Sequence, residues 1–187
     1  MTRVSGVDAT DPVSYTKGEH DARKQMYDVM AYLKDFVPGF ENSWLERSAA
    51  FMGIRETRVI VGKYVMTAQD ILEQKRFADA IAVAGYPVDI HHAQGGDCTM
   101  LFCEDAYQIP YGVLVPQTIE GLLVAGRCSA MDHEAMAATR VMSTCMALGE
   151  AAGTAARIAI ADNVEVSAVD VTKVQKALLE NDAYLAL

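Results

Sequence analysis

Leu122-Leu123-Val124-Ala125-Gly126-Arg127-Cys128-Ser129-Ala130 decides the reading of this chain. Four apolar residues between Gly121 and Gly126 have the pattern of a buried strand. The polar stretch Arg127–Ala138 reads as a loop with a short helical turn. From about Val141 to Ala161 the alanine-rich run predicts one long helix, closed at Asp162-Asn163. Strand, glycine turn and helix in that order make a ligand-binding device of α/β proteins. Ligands sit outside the carboxyl ends of strands, and a helix N-terminus offers free N–H groups and a positive dipole end. Arg127 and Arg140 would reinforce that field. Ser129, His133, Thr139, Ser143 and Thr144 supply hydrogen-bonding groups. Fold-supporting packing explains the same pattern equally often.

Working outward, Gly149, Ala152, Gly153 and Ala156 place small groups on nearby turns of the long helix. An interior helix glycine costs about 1 kcal/mol against alanine, which close approach of another backbone offsets. The helix is therefore expected to lie under a sheet or against a second helix. Beyond it, Val171, Val174, Leu178 and Leu179 mark a last helix over about 169–181. Upstream, Thr16 and Glu19 have capping-box spacing. A helix from about Lys17 to Phe36 follows, its stripe Met26, Met30, Leu33 and Val37 read as core and its end set by Pro38-Gly39. Trp44 and Leu45 are expected to anchor a connector. Residues 51–66 read as two short strands around Gly62, and Thr67 with Asp70 opens a helix to about Arg76. Strands are expected at 86–90 and 99–103. Edge or irregular strands, limited by proline, are expected at 107–111 and 113–116. The fold class is mixed α/β, with segments 1–115, 116–163 and 164–187.

Composition limits the function. The 187 residues are 51% apolar and 22% charged, with 16 basic against 25 acidic side chains and a net charge of −9. That is globular composition, and the acidic excess argues against nucleic acid and anionic membranes as partners. Neither an 18-residue apolar run nor an N-terminal signal pattern is present. Four cysteines make no disulfide scaffold and fit a reduced, cytoplasmic setting. The sequence contains neither G-x-G-x-x-G nor G-x-x-x-x-G-K-[ST].

Other residues suited to chemistry are few. Arg55 and Arg58, opposite in a strand but convergent across a bend, offer rigid donor forks for a carboxylate, phosphate or flavin oxygen. Surface ion pairing with Glu56 is the alternative. His91 and His92 adjoin the glycine-rich stretch 93–97, and His91 is the candidate proton carrier. A metal set of His91, His92, Asp97, Cys98 and Cys103 lacks the tight paired spacing of zinc sites. Cys128 and Cys145 would be reactive if held at a helix N-terminus. Packing as small buried hydrophobes is the plainer reading.

Leu123–Ala130, His133-Glu134-Ala135 and Arg140–Gly153, joined by Gly53–Arg58, Tyr86–His91 and Ile109-Pro110-Tyr111, resemble the C-terminal part of a family. The family is the bacterial FAD-dependent oxidoreductases of two-domain, glutathione-reductase-like fold. The resemblance runs in order over nearly the whole chain. It implies FAD as cofactor and hydride transfer from a small organic substrate. Arg127 and Gly126 would lie near the phosphate or ribityl chain. Cys128, Ser129, His133, Arg140, Ser143, Thr144, Cys145 and Met146 would complete the cofactor contacts, with His91, Arg55 and Arg58 on the substrate side. Ser143 stands where the family more often has proline. Because the glycine fingerprint is absent, the resemblance leads us to expect only the end of a substrate domain plus the strand and helix returning to the FAD domain. On that expectation the chain is a fragment or split subunit, completed by a missing N-terminal segment or a partner chain carrying the nucleotide fold. The alternatives are a catalytically inactive remnant or structural subunit, or a small-ligand module without redox function.

Overall fold

A computed structural model describes residues 3–91 and 98–186, without the side chains of His91 and Cys98. The chain divides into two compact units, Met1–Thr57 and Arg58–Leu187. The segment boundaries expected at 115/116 and 163/164 both fall within the second unit.

The first unit is built on α1 (Pro12–Phe36). The helix starts one turn earlier than expected, because Asp11 caps it: its carboxylate accepts from the Val13 and Ser14 N–H groups, and proline follows at the first helical position. Thr16 does not cap; inside the helix, its hydroxyl donates to the Pro12 carbonyl at 2.7 Å. Gly18 is buried where the chain crosses close, with Val7 and Met52 against it. Arg23 reaches Ser48 at 2.9 Å, and Glu19 accepts from Tyr15 and from the Met52 N–H. Met26, Met30, Leu33 and Val37, expected as core, are only half-buried. Trp44, expected as an anchor, is 78% exposed. Fifty-seven residues around a single helix have too little second layer to close a core.

The second unit holds the core. Segment 58–66 runs between 112–117 and 128–132 and bonds to each in turn: Ile60 N–H to Cys128, Lys63 to Val115, Tyr64 to Gly112 and Met66 to Ala130. The two strands expected here do not form, because rungs alternating between two neighbours leave isolated bridges at Gly62–Pro116 and Met66–Met131. Gly62 is required by proximity. A Cβ there would stand 2.5 Å from the Ala130 Cβ and 3.0 Å from the Gly112 carbonyl.

Helix α2 (Ala68–Leu72) starts at the expected capping box of Thr67 and Asp70 but stops sooner than Arg76. Strand β1 (Ala80–Ala84) pairs antiparallel with β4 (Tyr107–Pro110) across a bulge between Ala80 and Ala82. Strand β2 (Val88–His91) pairs antiparallel with β3 (Cys98–Leu101), from Val88↔Leu101 to His91↔Cys98. Tyr111–Val113 form a 3-10 turn, so the strand expected at 113–116 is absent. Helices α3 (His133–Thr139), α4 (Met142–Asp162) and α5 (Val171–Glu180) follow. Asn163 in the left-handed conformation, φ 52°, ends α4 where expected.

The core gathers Met66, Ile71, Ile81, Tyr107, Ile109, Leu114, Met136, Leu148 and Leu178, all fully buried or nearly so. Helix α4 packs on β1 and α5 through Leu148, Ala151, Ala155, Ile158 and Ala159. The expected close approach at Gly149 and Gly153 does not occur: both lie on the exposed face, and a Cβ at either would meet nothing within 4 Å. Two buried amides fasten distant chain. Gln175 donates to the Ala78 and Ala80 carbonyls at 2.9 and 3.0 Å. Gln108 accepts from the Phe77 N–H and donates to the Leu185 and Ala186 carbonyls at 3.0 and 2.9 Å. No helix among the described residues is long and apolar enough to cross a membrane.

Candidate functional site

The stretch 122–125 is not a strand. Its ladder has one rung, Val124 N–H to the Leu114 carbonyl at 2.9 Å, because the 3-10 turn carries the neighbouring segment away. Leu122 is 41% exposed. What survives of the expected device is the glycine turn and the helix. Gly126, at φ +80°, opens a turn closed by the Ser129 N–H on its own carbonyl at 3.1 Å. The buried Ser129 hydroxyl donates back to the Val124 carbonyl at 3.3 Å. Ala130 N–H bonds Val113 at 2.9 Å, so both ends of the turn are pinned to 113–114. Arg127 and Cys128 form the exposed tip.

This turn lies against the first turn of α4. A Cβ on Gly126 would stand 3.7 Å from the Cys145 Sγ. Val141 stands at the N-cap of α4, and no side chain among the described residues caps the helix. Its leading N–H groups and positive end are thus left to whatever approaches. Thr144 is 4% exposed, while Ser143 is exposed beside it. Met146 is exposed. The Cys145 thiol, for which packing was the plainer expectation and activation by a helix end the alternative, is pushed above its ordinary value by burial, which outweighs the opposing pull of Arg127. It donates weakly to the Thr139 carbonyl at 3.8 Å. Cys128 is exposed rather than a buried hydrophobe, and Cys103, Cys128 and Cys145 are free thiols.

Position comes from α3. Asp132 caps it through the Ala135 N–H at 2.7 Å, and its second oxygen accepts from the Ala68 N–H of α2 at 3.1 Å. His133 is the exposed first residue of α3. Arg140 ends that helix one residue before Val141, and its guanidinium donates to the Asp89 carbonyl of β2 at 3.3 Å. The double role of Asp132 escaped the sequence reading. Its one signal was an acidic residue three before Ala135, a spacing too common to single out.

Not all expected residues gather here. Arg58 is exposed two residues before Ile60, whose N–H meets Cys128, so it lies near the 126–129 turn along the chain path. Arg55, also exposed, belongs to the first unit. The backbone of His91 ends β2; its side chain, and His92 and Asp97, lie outside the described residues. Among the described residues no three His, Cys, Asp or Glu side chains gather to hold a metal.

The second unit thus presents a positive-φ glycine turn with an arginine tip against an uncapped helix N-terminus, an arrangement suited to an anionic or carbonyl-bearing ring edge. The family model of the FAD dependent oxidoreductases matches residues 1–178, and the chain belongs to that family. FAD is its cofactor, and the chain is a flavoprotein oxidoreductase. The match takes in residues 1–178, which corrects the expectation of a likeness to a C-terminal remnant alone. The expected partner chain supplying a nucleotide-binding half, and the expected inactive remnant or structural subunit, find no support in this match. The mixed α/β fold belongs to the family along that same length, not only through a returning strand and helix. No curated protein and no solved structure matches the chain.

Proposed function

We propose that this oxidoreductase takes a hydride from a small organic substrate, with the 126–129 turn and the first turn of α4 at the edge of the flavin ring. The observation that carries the reading is the packing of Gly126 against Cys145 beside a helix start that no side chain caps. The residues fit FAD on chemical grounds: free N–H donors and a positive helix end suit the carbonyl-rich pyrimidine edge. Bound FAD supplies the two-electron acceptor.

The chain's own residues do the rest. The N–H groups of the first turn of α4 would hold the ring edge and favour negative charge there. Ser143 and Thr144 add hydroxyls, and Arg127 adds positive potential. Gly126 keeps the wall free of a side chain, Cys128 and Met146 complete it, and buried Ser129 holds the turn's shape through Val124. Arg140, tethered to β2, fixes the end of α3 so that α4 starts where it does. On the substrate side, Arg58 is the anchor, exposed just before the segment that bonds to Cys128.

Titrating the purified protein with FAD, followed by quenching of flavin fluorescence, tests the assignment. Gly126→Val places a β-branched residue at φ +80° and is expected to weaken FAD binding at least tenfold. A control, Gly39→Val at φ +94° in the first unit, should not weaken it. Circular dichroism confirms that each variant is folded. Equal FAD affinity in folded wild type and Gly126→Val would overturn the placement.

A further inference from the structure

We draw no further inference here: the strongest candidate, the exposed face of α4 formed by Met142, Met146, Gly149, Gly153 and Ile160, is an apolar and small-residue stripe, and nothing in the structure shows what covers it.

Discussion

Asp132 and Asp70 each carry more than their own bond. Asp132 joins the starts of α2 and α3 with one carboxylate, so truncation frees two buried-end donors at once. Asp132→Ala is expected to lower stability by about 1–3 kcal/mol, and Asp132→Asn, which keeps an acceptor, by less. Urea unfolding of both variants measures the difference. Asp70 accepts from the Tyr64 hydroxyl at 2.9 Å, Lys75 at 2.9 Å and the Thr67 N–H at 2.9 Å. Burial raises its carboxyl, but these bonds outweigh burial and hold it below the usual range. Its stability contribution is therefore present above the unfolded value, about 3.9, and is lost as pH falls through the lower folded value. Lys75 is raised by Tyr64 and then Asp70, so its contribution is present below about 10.4 and is lost only at strongly alkaline pH. Denaturation midpoints of wild type and Asp70→Asn should converge as the pH is taken below about 4; a constant gap would reject the assignment.

At the scale of elements, legibility tracked locality. The ends of α4 and the Thr67–Asp70 box were readable because alanine content, a left-handed asparagine and an i,i+3 cap are local signals. The start of α1 was written as plainly in Asp11-Pro12, but Thr16 and Glu19 offered the same spacing one turn on. Alanine-rich β1 hid because strand formation there depends on pairing with β4, not on propensity. The failed strand at 122–125 shows the converse, a strand-like run whose rungs were elsewhere. Half the candidate site was equally local: the turn and helix adjoin in sequence and do meet. The link of Asp132 to α2 spans 64 residues and left no local trace. The ordered family likeness along nearly the whole chain was legible, but the absent glycine motif led to its being read as a C-terminal remnant. Gly149 and Gly153 give α4 its own prediction. With open space beyond both, Gly149→Ala and Gly153→Ala should each stabilise the protein by about 0.5–1 kcal/mol. Thermal unfolding reads this as a rise in Tm, and a fall would mean that another surface occupies that face in solution.

Across the whole molecule, stability is uneven. Among the described residues of the first unit only Gly18 is buried, whereas the second unit packs its large apolar side chains around β1, β4 and α4. Hydrogen exchange should therefore be fast through α1, despite its 25 residues, and slowest in β1, β4 and the buried face of α4. Comparable protection in α1 would show that the first unit is held by more than its own contacts.

The amides of Gln108 and Gln175 also set an order of events. Gln175 binds carbonyls 97 and 95 residues earlier, and Gln108 binds carbonyls 77 and 78 residues later. During synthesis, β1 and β4 must wait with polar groups unmet until α5 and residues 185–186 emerge. Such distant closure slows folding and leaves the nascent sheet edge open to association. Chaperone demand during translation should thus centre on residues 78–110, and ease once the segment beyond α4 has cleared the ribosome.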